Sequence, residues 1–400
     1  MEDGHARFVG TDGKTHVHAT ARAAAALVTA VLYPFLLTRA ALLAVAWFAE
    51  QFAPSWTYAN PAGATRGWQH VPELALDVWG RYDTSWYLDI AENGYRPVAD
   101  LIHSQSNLAF FPLYPLLVRG LHGLLPAAWQ GYSARYAIAL AVSNACALAA
   151  LAAVFQLVRE RWGDDALARR SVLYLLLFPA GFFLSCVYSE SLYLLLSAAA
   201  FLLAQRRRWW GAGACALLLG FCRPAGVLVA PPLALLYLEQ RGWDPRRSRW
   251  DALALLGAPA ALAAHGARLA IISGDALAVF HAQSAWGRRL SVPWYTLAQP
   301  FHPKVGPFEL AGTLLFLVLG VILIAQREHA LGAFALLSLA PILLSGTLMS
   351  ATRFLAVVFP GFIALARLGR REQIDRAIVV TFAFAQALFF AAWARFYWVA

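Results

Sequence analysis

Of the 400 residues, 60% are hydrophobic and 14% charged, which leaves too few polar side chains to wrap a water-soluble core; the chain is read as a polytopic membrane protein. The formal net charge of +10 does not indicate nucleic acid, because the arginines fall in short clusters between apolar runs instead of along one face. Cys146, Cys186, Cys215 and Cys222 lie inside predicted helices, with neither metal-ligand nor disulfide spacing, and are read as small packing residues.

The first 20 residues are polar and are expected to form a cytoplasmic tail, with 21–400 a single integral membrane domain. The first apolar run is too long for a cleaved signal sequence, so it should remain as an anchor. Helices are predicted over 21–50, 134–158, 171–187, 190–205, 209–222, 224–239, 251–273, 309–326, 330–349, 354–368 and 377–398, about eleven spans in an all-α bundle. Arginine clusters at Arg159, Arg161, Arg169 and Arg170, at Arg206 to Arg208, at Arg241, Arg246, Arg247 and Arg249, and at Arg367, Arg370, Arg371 and Arg376 mark cytoplasmic loops. The two long loops, 51–133 and 274–308, then share the outer face. Pro179, Pro224, Pro231, Pro232, Pro341 and Pro360 interrupt apolar runs, so several helices should be broken where protein or a water-filled cavity covers the freed backbone.

Within the first outer loop, Val71 to Trp86 is expected to hold a short surface helix, and Phe110 to Leu125 to lie in the membrane interface. Between them runs the polar, aromatic stretch Arg81-Tyr82-Asp83-Thr84-Ser85-Trp86-Tyr87-Leu88-Asp89, continuing to Tyr95. A carboxylate among tyrosine and tryptophan at a membrane surface suits proton acceptance from a hydroxyl while aromatic faces hold a sugar or headgroup. Asp83 is preferred for that role, with Asp89 and Glu92 as alternatives.

Other motifs have simpler readings. Gly211-Ala212-Gly213-Ala214-Cys215-Ala216 fits a relaxed dinucleotide pattern but lies in an apolar span with no strand before it, and is read as helix packing. Asp164-Asp165 sits beside arginines and is read as a solvated charge pair. His70, His103, His281 and His302 lack the paired spacing of a zinc site, so no metal and no cofactor are expected.

Charges near the outer ends of helices carry more weight, since they are costly at membrane depth and face a cavity or a partner. Four qualify: Glu190 in Tyr188-Ser189-Glu190-Ser191, Arg223 before Pro224, Arg288 after Trp286-Gly287, and Arg353 after Ser350-Ala351-Thr352. For each arginine, binding a substrate phosphate competes with snorkelling to lipid or pairing with Glu190. A basic carboxylate, fixed cations and aromatic platforms together suit glycosyl transfer from a lipid phosphate. The expected site is Asp83 as base, Arg223, Arg353 and Arg288 on the phosphate, and Tyr82, Trp86, Tyr87, Glu190, Tyr188, Asp89 and His281 on the substrates.

The stretch from Asp83 to Tyr95, Ala109-Phe110-Phe111-Pro112 and Tyr188-Ser189-Glu190-Ser191-Leu192 resembles the PIG-V family of mannosyltransferases and its bacterial relatives. The similarity extends to Phe221-Cys222-Arg223-Pro224-Ala225-Gly226, Gly274-Asp275-Ala276-Leu277-Ala278, Trp286-Gly287-Arg288, Arg353-Phe354 and Phe359-Pro360. It implies a GT-C-like bundle with a long, partly helical first outer loop and an acidic catalytic residue in that loop, at the position of Asp83. It also implies inverting transfer of mannose from a polyprenyl-phosphate donor to a lipid-linked or surface glycan acceptor. Tyr82 before the aspartate and Thr84-Ser85 after it depart from the eukaryotic pattern, and the alanine- and arginine-rich composition suggests a GC-rich bacterial genome, hence a bacterial cytoplasmic membrane and an acceptor other than a GPI precursor. The alternative is a transporter or flippase for a lipid-linked or anionic substrate, against which stand the absence of a visible internal repeat and the placing of the densest polar sequence in a loop.

Overall fold

The computed structural model describes residues 25–52, 69–298 and 306–399, and within them all regular structure is helical. The expected tail over 1–20, part of each long loop, and His302 fall outside the described residues. The principal helices are α1 (Tyr33–Ala49), α2 (Thr84–Asn93), α3 (Leu113–Gly123), α4 (Tyr132–Trp162), α5 (Asp165–Leu177), α6 (Glu190–Gln205) and α7 (Trp209–Gly220). They continue as α8 (Ala230–Glu239), α9 (Gly257–Ser273), α10 (Gly306–Ala325), α11 (His329–Leu343), α12 (Ala351–Leu355), α13 (Phe359–Leu368) and α14 (Glu372–Ala394). Among the described residues, five helical stretches, Ala25–Ala49, Tyr132–Trp162, Trp250–Ser273, Gly306–Ala325 and Glu372–Ala394, are long and apolar enough to cross a membrane, and five shorter apolar helices lie between them. The chain is thus an all-α, multi-pass membrane protein.

Small residues bring the helices together, as they must where apolar lipid gives no reward for burying apolar surface. On α4, Ala139, Ser143 and Ala147 are buried at a spacing of four, and α6 is its main partner. On α7, a Cβ at Gly213 would lie 2.6 Å from the Ala254 carbonyl oxygen in the helical turn leading into α9. The glycines of the 211–216 motif therefore serve close helix contact. Asp164 caps α5 by accepting a hydrogen bond from the Leu167 N–H at 2.8 Å, and Asp165 pairs with Arg159 at 3.0 Å, which gives both aspartates local structural partners.

Two expected spans are not continuous helices: 354–368 is interrupted between Leu355 and Phe359, and 171–187 is broken after Leu177. α5 stops at Leu177 because Pro179 forces Phe178 into an extended conformation, and a short 3-10 turn, Gly181–Leu184, follows. The whole segment is buried, so its freed backbone groups need partners. Gln386 of α14 donates to the Leu176 and Phe178 carbonyls at 2.8 Å each, and Arg39 of α1 donates to the Gly181 carbonyl at 3.1 Å and to Ser185 Oγ at 2.8 Å. The expected surface helix over Val71 to Trp86 is also divided: a single turn at Leu74–Asp77 and the start of α2 flank a buried bend at residues 79–83. By contrast α3 turns Leu116, Leu117 and Leu121 outward, as an interfacial helix would.

The charges separate to the two ends of the bundle. At one end Arg161 and Arg367 pair with Glu328 at 2.6 and 3.1 Å, Arg370 pairs with Asp164 at 3.0 Å, and Arg206 pairs with Glu160. α4 connects this end to the other over 31 residues, about 46 Å at the helical rise. The opposite end collects the bend at residues 79–83, the start of α6, the turn before Pro224, and α12.

Candidate active site

The bend that carries Asp83 is strained and heavily supported. Tyr82 has φ = 50°, the left-handed region that a tyrosine enters only when its surroundings impose it. Its hydroxyl donates to the Phe396 carbonyl at 2.9 Å, and its ring lies 5.3 Å from Trp393 and edge-on to Trp398 at 4.8 Å. Arg81, only 2% exposed, pairs with Asp77 at 2.7 Å and lays its guanidinium 4.2 Å from the Phe396 ring centre. Tyr188 locks the bend from the far side: its hydroxyl donates to the Arg81 carbonyl at 3.0 Å and accepts from the Asp83 N–H at 3.1 Å. Asp83 then leads into α2.

Four charged side chains alternate in sign from this bend inward. Asp83 Oδ2 accepts from Arg353 Nη1 at 2.8 Å, and Arg353 Nε lies 3.4 Å from Glu190 Oε1. The same Glu190 oxygen accepts from Arg223 Nη2, while Arg223 Nε donates to Ser189 Oγ at 3.0 Å. Glu190 is fully buried, whereas Asp83 keeps 14% of its side chain exposed. Burial works against the charge on Arg223, but Glu190 outweighs it; on Arg353, Asp83 and Glu190 do the same, so both stay firmly cationic. Arg288 has no carboxylate partner among the described residues; it donates to Gln283 Oε1 at 2.9 Å, and burial with the neighbouring Arg353 lowers its pKa to about 10, still charged at neutral pH. The Phe354 ring centre lies 5.0 to 5.5 Å from the guanidinium carbons of Arg288, Arg353 and Arg223, an apolar face against three cations.

Asp83, Arg223, Arg288 and Arg353 line one cavity of about 560 Å³. Tyr87 and His281 also reach its wall. The Tyr87 hydroxyl shares a hydrogen bond with Ser189 Oγ at 2.9 Å, and burial holds its phenol above the usual range, so it remains neutral. His281 pairs with Asp275 at 2.6 Å and is half exposed. Other expected residues stand behind the wall. Tyr82 and Tyr188 support the bend, Glu190 braces the arginines, and Trp86 is buried against Phe110 and Trp286 with ring centres 6.0 and 6.2 Å away. Asp89 is turned from the cavity: it is 2% exposed, pairs with Arg96, and accepts from Asn93 and Asn107 at 2.8 and 2.9 Å, so it pins the segment that follows α2. Glu92 pairs with Arg135 at 2.8 Å.

Several contributors lack a local sequence signal. Trp398 lines the cavity beside Tyr82, although it lies more than 300 residues from it in the chain. Glu309 at the start of α10 accepts from the Ser350 N–H at 2.8 Å and so fixes the left-handed Ser350 (φ = 67°) that aims α12 and Arg353. Ser189 joins Tyr87 to Arg223.

An all-helical membrane protein in which one carboxylate shares a cavity with the guanidinium groups of Arg223, Arg288, Arg289 and Arg353 defines a class of site built for an anionic, partly apolar ligand. The family model described as Mannosyltransferase (PIG-V) matches residues 28–225, just under half of the chain, and over that stretch the chain is similar to this family. No match is found among curated proteins. Among solved structures, the chain is similar to the oligosaccharyltransferase of Archaeoglobus fulgidus in its apo form, with 14% identity and a TM-score of 0.43 over 90% of this chain and 56% of that one. It is similar also to the archaeal oligosaccharyltransferase AglB from the same organism in complex with an inhibitory peptide and a dolichol-phosphate, with 14% identity, a TM-score of 0.43, and 90% and 55% of the two chains covered. The chain spans about half the length of these structures.

Glu190→Gln would leave Arg223 and Arg353 buried with no shared anion. The expected loss is about 3–5 kcal/mol of stability, the usual cost of removing one partner from a buried pair. It would be read as a lower unfolding midpoint of the detergent-purified protein; an unchanged midpoint would mean that other groups neutralise the two arginines.

Proposed function

We propose that the chain is an inverting glycosyltransferase that moves a hexose, mannose by its family, from a polyprenyl-phosphate donor to a hydroxyl of a lipid-linked or surface glycan on the extracytoplasmic side. The observation that carries this reading is the convergence of one partly exposed carboxylate and four guanidinium groups, those of Arg223, Arg288, Arg289 and Arg353, in a single cavity. Asp83 accepts the proton of the acceptor hydroxyl as its oxygen bonds to the anomeric carbon. The bond from that carbon to the phosphate oxygen breaks, its electron pair stays on the phosphate, and Arg223, Arg288 and Arg353 offset the charge that grows there. Attack from the face opposite the leaving phosphate inverts the anomeric centre. The apolar part of the wall, including Pro341, Ile342, Leu344, Val357 and Val358, suits the first prenyl units. His281, Tyr87 and Trp398 are assigned to sugar contacts.

In this scheme arginines do the work that a divalent cation does elsewhere, and no cofactor takes part. Among the described residues no three His, Cys, Asp or Glu side chains gather as metal ligands. The arginine-rich end of the bundle is assigned to the cytoplasm by the positive-inside rule, which sets the cavity outside.

Purified protein supplied with a panel of polyprenyl-phosphate sugars and membrane lipid extract should yield a glycosylated lipid or glycan identifiable by mass, with the mannose donor preferred. Asp83→Asn should slow turnover about 10²- to 10⁴-fold, the range for loss of a general base; near-normal turnover would remove Asp83 from the role. Chelators should leave the rate within about twofold, and activity abolished by chelation but restored by a divalent ion would replace the arginine scheme with a metal-assisted one. A cysteine placed at the exposed Ser104 should be labelled by an impermeant reagent outside intact cells. Labelling only after the membrane is opened would invert the assigned topology.

A further inference from the structure

Asp83 is engaged where its proposed task needs it free. Its Oδ2 is 2.8 Å from Arg353 Nη1, in a contact where the two side chains are only 14% and 7% exposed, so water screens the pair weakly. Among the described residues, Arg353 is also the one cation of the cavity wall that lies against two carboxylates, Asp83 by Nη1 and Glu190 by Nε. If its contact with Asp83 opens, its Nε, which makes no hydrogen bond, still lies 3.4 Å from the buried Glu190 carboxylate. Arg223 has its own hold on Glu190 and Ser189, and Arg288 rests on Gln283, so neither depends on Asp83. The cavity wall carries Arg223, Arg288, Arg289 and Arg353 against the single carboxylate Asp83, an excess of positive charge that favours an entering anion.

We propose that Arg353 is handed from Asp83 to the donor: the arriving phosphodiester takes the guanidinium, and the carboxylate becomes available to the acceptor hydroxyl only in the donor-loaded site. This inference rests on the lipid-phosphate reading given above. It makes donor binding the step that switches on the base. It also makes Asp83 and the donor phosphate competitors for one guanidinium, with Glu190 as the positioning residue that keeps Arg353 in place throughout the exchange. No bond is made or broken in the exchange itself; one charge-assisted contact replaces another.

Competition has a consequence that simple substrate contact does not. Binding of sugar-free polyprenyl phosphate, measured in detergent by isothermal titration to folded, monodisperse protein, should be about tenfold tighter in Asp83→Asn than in wild type, the order expected when one charge-assisted hydrogen bond no longer competes. Asp83→Ser should behave alike and serves if the Asn variant folds poorly. Arg353→Ala should bind more weakly, and adding Asp83→Asn to it should give no further gain. Unchanged or weaker binding in both Asp83 variants would overturn the exchange while leaving the lipid-phosphate reading intact. Failure of wild type itself to bind polyprenyl phosphate would remove that reading and the exchange together.

Discussion

The alternation Asp83, Arg353, Glu190, Arg223 is the interaction on which the arrangement at this end of the bundle depends. Removing a carboxylate or a guanidinium from water costs several kcal/mol even after relaxation, and the cost is met only when the opposite charges are held within hydrogen-bond reach. Glu190 and Arg353 are almost wholly buried, so neither tolerates being displaced alone. The elements that bear the four residues, the bend before α2, the start of α6, the turn after α7 and α12, are therefore coupled to one another through charge as much as through packing.

Regular membrane helices cannot bring four such groups to one point, because a continuous helix spends its backbone on itself and keeps its side chains on a cylinder. Each of the four residues sits at a break. Arg223 precedes Pro224 in extended conformation, Glu190 opens a helix after the 3-10 turn, Asp83 follows a left-handed tyrosine, and α12 follows a left-handed serine. The breaks expose backbone groups, and polar side chains elsewhere in the bundle serve them: Arg39 and Gln386 at the 178–185 segment, Glu309 at Ser350. Arg39, a cation in the middle of an apolar helix, acts as a hydrogen-bond donor to a frayed neighbour.

Composition and the spacing of proline and arginine made the helical class and most helix positions legible, since long apolar runs of 18 or more residues have few other readings. Three of the four arginine clusters are tied to one another, through Glu328, Glu160 and Asp164. Asp83, Arg223, Arg288 and Arg353 were legible as a group for a physical reason: ionisable residues next to apolar runs are expensive and so few that each stands out. Asp89 shows the limit. It belongs to the same polar stretch as Asp83, but a six-residue step along the bend and α2 turns it toward Arg96 and Asn107, and nothing in the local pattern distinguishes the two aspartates. Pairing of Glu190 with the arginines was one of the readings open in the sequence, and the structure pairs it with Arg223 and Arg353; its full burial was not legible, because burial is decided by elements far away in the chain. Trp398 was not legible at all, as its place in the wall comes from a tertiary contact with Tyr82.

The cavity also straddles the boundary of the family pattern. Residues 28–225 contribute Asp83, Tyr87 and Arg223 to the wall, together with Glu190, Ser189 and Tyr188 behind it. The second half contributes Arg288, Arg353, Phe354, His281, Trp398 and much of the apolar lining. The first half alone would hold two carboxylates, Asp83 and Glu190, against one cation, Arg223, a net negative arrangement with no pull on an anion. It is the addition of Arg288 and Arg353, lying against Phe354 and shielded from water, that tips the wall to positive. The carboxylate and the surplus cations thus come from opposite halves of the chain, and the Asp83–Arg353 contact is the point at which they are joined.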